Sequence, residues 1–160
     1  MAINATDVQG TKVYIVSPVP TTDFASCTEA ITAIHAGLQA MCPQSLGELT
    51  RTREITELGC ISSNETIKAA GKMSYGDFTM ELLLDMNDTA GQQALFDAME
   101  NNTPIILALE GPFEAPDTSG DIIWTKALMS GDGISYPDGS KVGYSVTLAP
   151  FGGYNRCTAA

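Results

Sequence analysis

One histidine, His35, and four cysteines, Cys27, Cys42, Cys60 and Cys157, are the residues best suited to nucleophilic or metal chemistry. No two cysteines form a CxxC pair, and a single imidazole with such scattered thiols does not match zinc-ligand spacing. The thiols read as reduced and partly buried. His35 follows Ile34 in a short helical pattern, and no sequence neighbour would orient it as a base, so it reads as a satisfied helix-surface side chain. Glu81 and Asp85 fall on one face of a strand pattern, where paired carboxylates could act as acid and base on a glycoside. No aromatic platform for a sugar accompanies them, and Trp124, within Ile-Ile-Trp, reads as core. Asp85-Met-Asn87-Asp88 begins like a calcium loop, but Gly91 stands at position 7 and Phe96 where a bidentate Glu is required. GxSxG, HExxH and P-loop patterns are absent. No enzyme activity, metal or cofactor is expected; the residues point to a binding or structural role.

The elements that carry these residues are mostly strands. Lys12–Val16 is a β-rich run stopped by Ser17-Pro18 and Pro20. Ala30, Ile31 and Ile34 recur at helical spacing behind Thr28, which predicts a short helix over about 28–35. Leu38–Cys42 is a short strand ending at Pro43. Over Leu49–Leu58, Thr50, Thr52, Glu54 and Thr56 alternate with Leu49, Arg51, Arg53, Ile55 and Glu57. Neither face is apolar, which suits a solvated strand or an interface. Phe78–Met86 alternates strictly, with Phe78, Met80, Leu82, Leu84 and Met86 opposite Thr79, Glu81, Leu83 and Asp85. Thr89-Ala-Gly-Gln92 has capping-box spacing and opens a helix over about 90–101, with Ala94, Leu95, Ala98 and Met99 as its apolar stripe. The apolar run inside Pro104–Glu110 predicts a strand buried on both faces. Gly111–Gly120 is a loop, and Asp121–Ser130 and Lys141–Ala149 are two more strands, joined across the Tyr136-Pro-Asp-Gly139 turn. The tail from Gly152 reads as loose. The fold class is therefore mainly β: an antiparallel β-sandwich or barrel with one flanking α-helix and a second short one. One domain is expected over 1–160, with an arm at 1–10, an insertion at 18–42 and a tail at 152–160.

Charge narrows the partners. The chain has 160 residues, 19 acidic and 8 basic side chains and a net charge of −11. Between Lys72 and Lys126 no base occurs, while Asp77, Glu81, Asp85, Asp88, Asp97, Glu100, Glu110, Glu114, Asp117 and Asp121 all do. Such a surface cannot displace counterions from nucleic acid or dock on anionic lipid. The 44% hydrophobic content excludes a disordered acidic tail. No apolar stretch is long enough for a membrane span, and Met1–Gly10 has no secretory signal pattern.

Several local words, in order, resemble the major tail tube protein of lambda-type long-tailed bacteriophages from about Pro43 to Tyr154. They are Leu46-Gly-Glu-Leu-Thr50, then a variable loop, then Lys72 with Tyr75-Gly-Asp-Phe-Thr-Met-Glu-Leu82. Ala90-Gly-Gln-Gln-Ala-Leu-Phe96 follows, and then Trp124–Gly131 and Lys141–Leu148. The resemblance implies a β-sandwich with a flanking helix, related to the type VI secretion tube protein. It implies six-membered rings stacking into the tail tube of a virion assembled in the host cytoplasm. The implied partners are further copies of the chain, with tape measure, tail tip or baseplate, and tail terminator proteins, and DNA passing without adhesion. An acidic bore would repel phosphates, and Glu54, Glu81 and Asp85 are the candidates to line it. Outer solvent, or inter-subunit pairs with Arg51, Arg53 or Lys126, is the equal alternative for these acids. The segment Pro18–Met41 departs from the family pattern and is a candidate ring-stacking element, with Asp23, Glu29 and Ile34. Two rivals stand beside this reading: a terminator-like ring, and an acidic β-sandwich module gripping a basic partner through residues 77–121.

Overall fold

The computed structural model describes residues 10–40, 43–59, 61–62, 64–112, 117, 119–139 and 141–158. The arm at 1–10, but for Gly10, and Cys42 and Cys60 fall outside them. The elements are β1 (Lys12–Val16), α1 (Cys27–His35), β2 (Leu38–Ala40), β3 (Pro43–Leu46), β4 (Arg51–Gly59) and β5 (Thr66–Tyr75). They continue with β6 (Phe78–Leu83), α2 (Gly91–Asn101), β7 (Ile105–Glu110), β8 (Ile122–Ser135) and β9 (Gly143–Cys157). Seven strands form one antiparallel sheet in the order β2-β1-β7-β8-β9-β6-β3, and β4 pairs only with β5.

The large sheet is curled nearly shut. Flat, it would separate β2 from β6 by five strand spacings, about 24 Å. Yet Gly91, at the start of α2, lies against Gln39 and Ala40 of β2. The next residue, Gln92, donates from Nε2 to the carbonyl of Leu83 at the end of β6, at 2.8 Å. Neighbouring residues of one helix thus touch the β2 edge and the strand next to the opposite edge, and α2 plugs the gap. The concave face packs Val13, Ile15, Leu107, Met80, Tyr144 and Leu148 against Ala94, Leu95 and Ala98. Phe96 stacks on Tyr144 at 4.4 Å between centroids. The convex face carries a second core under α1, in which Tyr14, Ile106, Ala108, Ile122 and Trp124 meet Ala30 and Ile34.

The β class and both expected helices are present, and five local expectations change. The run from Thr66 to Tyr75, expected as loop ahead of Lys72, is β5, invisible to pattern because it is exposed on both faces except at Tyr75. The strand from Phe78 ends at Leu83, because Asp85 accepts from the Asn87 N–H and turns the chain. Thr89 is not the cap of α2; the Asp88 carboxylate accepts the N–H groups of Ala90, Gly91 and Gln92, while Met99 stays partly exposed. Helix α1 begins one residue earlier than expected, on a Ser26 N-cap with Glu29 reaching back to the residue before it. The Ser26 hydroxyl accepts from Glu29 N–H, and the Glu29 carboxylate accepts from Ala25 N–H.

The tail is the fifth correction. Gly152–Cys157 is the second half of β9, paired with Ile122–Thr125. Gly152 and Gly153, with φ of 78° and 99°, absorb a bulge that lets β9 run on. Tyr154 then donates to the Thr50 carbonyl at 2.7 Å. At its end Cys157 is joined to Cys27 by a disulfide, Cα to Cα 5.5 Å. These two are therefore not reduced thiols. A sequence separation of 130 hid a proximity that only the closing of β9 beneath α1 creates.

Candidate assembly surfaces

Among the described residues no group of three His, Cys, Asp or Glu side chains could hold a metal ion. His35 is half-exposed; its Nε2 lies 2.9 Å from Oε1 of the buried Glu110, which also accepts the Gly120 N–H at 3.0 Å. Sequence reasoning missed Glu110 because it closes an otherwise apolar strand. Burial and the Glu110 carboxylate push the neighbouring Tyr14 hydroxyl above its usual pKa. This cluster joins α1 to the sheet and is structural.

The most exposed element is the β4–β5 hairpin. Every β4 residue is exposed, as is every β5 residue but Tyr75. Cross-strand register puts Arg51, Arg53, Ile55 and Glu57 on one face with Tyr75, Met73, Ala70 and Lys68. The other face carries Thr52, Glu54, Thr56 and Leu58 with Ser74, Ala69 and Ile67, as the alternation predicts. Ile55, Leu58 and Ile67 are each more than half exposed, at 53%, 54% and 58%. Glu57 pairs with Lys68 at 3.1 Å, whereas no ion pair forms on Arg51 or Arg53 among the described residues. The hairpin is held at its root, where Tyr75 meets Tyr154 edge-on at 5.0 Å. From Arg51 to Tyr75 the chain carries four of its eight bases and three acids; the rest carries four bases and sixteen acids.

The three candidate bore acids do not come together within one chain. Glu54 is on the hairpin, packed against Gly71 at the bulge. Glu81 lies on β6 of the large sheet, exposed beside Thr79 and accepting from Ser45 Oγ at 3.4 Å. Asp85 sits in the turn after β6, partly buried, and leaves the strand face altogether. Of the other candidates, Lys126 pairs with Asp23 of its own chain at 2.7 Å. Glu29 is engaged in the α1 cap. Ile34 is fully buried and is core rather than a contact residue, because it is on the sheet side of α1.

No protein-family model matches the sequence, and no curated protein matches it. Solved structures do match in fold. A subunit of the six-fold symmetrised anti-feeding prophage baseplate aligns with TM-score 0.69 at 10% identity, over 99% of this chain and 98% of that one. The SPP1 tail tube subunit aligns with TM-score 0.65 at 18% identity, over 95% of this chain and 78% of that one. A subunit in the tail of the gene transfer agent particle aligns with TM-score 0.58 at 10% identity, over 96% and 100%. The chain thus has the fold of these tail and baseplate subunits from end to end.

Proposed function

We propose that this chain is a structural subunit of a phage-type tail, which assembles into closed rings, six-membered by analogy, that stack into a tube for DNA delivery. The observation that carries this reading is the β4–β5 hairpin. An isolated two-stranded ribbon is marginal in water, and this one buries almost nothing within its own chain while exposing Ile55, Leu58 and Ile67. Neighbouring copies that cover it remove the exposed apolar surface and its unpaired strand edges together. The lambda-like resemblance and the end-to-end match to three ring-forming or tubular tail structures support the same assignment. In such a ring Glu54 and Glu81 line the bore and repel phosphates, while Arg51 and Arg53 face a neighbour. Tape measure, tip and terminator proteins are the further partners on this reading, and the virion tail is its location.

Size-exclusion chromatography with light scattering, followed by negative-stain microscopy, tests it. Rings or tubes are the expected result, and a monodisperse monomer at high concentration refutes it. The likeness to a baseplate subunit supports a second reading, a ring that caps rather than polymerises; open-ended filaments of pure protein exclude that one. The bore assignment has a separate test. Glu54→Lys with Glu81→Lys should leave assembly intact and slow DNA ejection, and unchanged ejection removes both residues from the bore.

A further inference from the structure

The segment between β1 and β2, residues 17–37, crosses the convex face as a strap. Its ends are tied down, because β1 and β2 pair directly, Ile15 opposite Leu38. Between them it is fastened mainly by side-chain packing, with Val19 and Ile31 also seated on the convex core. Phe24 meets the Trp124 ring edge-on at 5.2 Å. Ala30 and Ile34 are its buried helical side chains, and His35 bonds Glu110. The Asp23–Lys126 pair is exposed on the Asp23 side and adds little. The one covalent fastening is Cys27–Cys157, at the first residue of α1.

The surface beneath the strap is poorly satisfied. Among the described residues the buried Trp124 Nε1 and Ser119 Oγ lack hydrogen-bond partners, while the Glu110 carboxylate is bonded through Oε1 and faces the Tyr14 hydroxyl. Strand parity puts Trp124 and Glu110 on this convex face, with Ile106, Ala108 and Ile122. Ser119 precedes Gly120, whose N–H bonds Glu110. Each orphaned polar atom would gain a water if the strap lifted. The concave core under α2 shares none of these residues, so one face can open while the other stays packed.

We propose that residues 17–37 form a redox-held strap: oxidised, it is latched over Trp124; reduced, it lifts locally and hydrates that face. The exchange is balanced. Cys27 is exposed and Cys157 nearly buried, so a small thiolate attacks Sγ of Cys27 and breaks the Cys27–Cys157 bond. A mixed disulfide forms on Cys27, and Cys157 leaves as thiolate and takes a proton from water. A second small thiol resolves the mixed disulfide, releasing the small-molecule disulfide and leaving two protein thiols. Closure is the reverse, with a small-molecule disulfide as oxidant. The inference is independent of ring formation.

Trp124 is the only tryptophan of the chain and reports on the strap directly. Protein incubated with glutathione disulfide is compared with the same protein after phosphine reduction and with Cys27→Ser. Readouts are acrylamide quenching of tryptophan fluorescence and amide exchange of α1 and α2. Expected are a peptide pair linked through Cys27 and Cys157 in the oxidised sample, and on reduction a quenching constant about threefold higher. Amides of α1 should lose roughly a hundredfold more protection than those of α2, which register only the global loss of stability on reduction. Three results overturn the proposal: no linked peptide, equal quenching in both states, or α1 and α2 losing protection to the same extent. Reduced wild-type protein carries the test alone if Cys27→Ser does not fold.

Discussion

Replacing Gly91 by alanine tests how the curled sheet is closed. A Cβ at this position would run into the carbonyl oxygen of Gln39 and the backbone of Ala40. Those are main-chain atoms of β2, so no side chain can swing aside, and either α2 or the edge strand must shift. Overpacking of this kind costs about 1–3 kcal/mol, and backbone obstruction belongs at the upper end. The better helix propensity of alanine returns less than about 1 kcal/mol at a first-turn position. The net loss is about 2 kcal/mol. For 160 residues the unfolding entropy is about 0.34 kcal/mol/K, so Tm should fall by about 6 °C. Gly59→Ala is the internal control, since its Cβ would meet nothing within 4 Å, and it should stay within about 0.5 kcal/mol of wild type. Calorimetry of all three proteins under one redox condition reads the difference. If Gly91→Ala melts with the Gly59→Ala control, α2 does not seat against β2, and the closure argument fails.

Asp88→Ala should cost about 1–2 kcal/mol by urea denaturation, because three N–H groups at the start of α2, those of Ala90, Gly91 and Gln92, lose their acceptor. Thr89→Ala should change stability by less than about 0.5 kcal/mol, and the reverse ranking would restore the Thr89 cap. Burial, with the Asp132 carboxylate and its hydrogen bond, raises the pKa of Tyr144 well above the ordinary tyrosine value of 10.0. The folded state therefore holds a proton that the unfolded state releases, so stability is flat below about pH 10 and falls above it. Tyr144→Phe should flatten that fall, and an unchanged alkaline slope locates the effect elsewhere. Loss of the Cys27–Cys157 bond, closing a separation of 130 residues, should lower global stability by up to about 5 kcal/mol through the unfolded chain's entropy. A denaturation midpoint indifferent to reductant would show that the pair is not oxidised.

What was legible in the sequence tracks what meets the core. Phe78, Met80 and Leu82 alternate with exposed residues because one face of β6 is buried, and the buried run of β7 reads equally well. Strand β5 escaped because a ribbon exposed on both faces carries no hydrophobic period; a Gly59-to-Asn64 turn cluster after a strand with no apolar face was its one signal. The parity of Arg51, Arg53 and Glu54 was readable from β4 alone and agrees with the pairing. Asp85 was misplaced because Leu84, partly buried, continues the period past the true end of the strand. Ile34, a ring-stacking candidate by sequence, is core, because helical spacing identifies a face without saying what it packs on. Asp23–Lys126, His35–Glu110 and Cys27–Cys157 join residues 75 to 130 apart, and local pattern cannot see such pairs.

The charge that first excluded partners also bears on how copies would meet. If two hairpins paired on a two-fold axis, Arg51 and Arg53 would face their own kind, and two bodies with sixteen acids and four bases each would repel. A hairpin seated on a neighbour's body avoids both conflicts. That contact is heterologous, and repeated heterologous contacts give rings or filaments rather than closed dimers. The same asymmetry predicts the salt dependence of assembly. Repulsion between bodies acts over long distances and is largely screened by about 0.15 M salt, where the Debye length is about 8 Å. Attraction between the arginines and carboxylates acts at contact and weakens only as the Debye length approaches about 3 Å near 1 M. Assembly measured by light scattering should therefore rise from low salt to about 0.15 M and decline toward 1 M. Arg51→Glu with Arg53→Glu should abolish the decline by removing the attraction. A steady rise in wild-type assembly to 1 M would mean that Ile55, Leu58 and Ile67 drive it without help from the arginines.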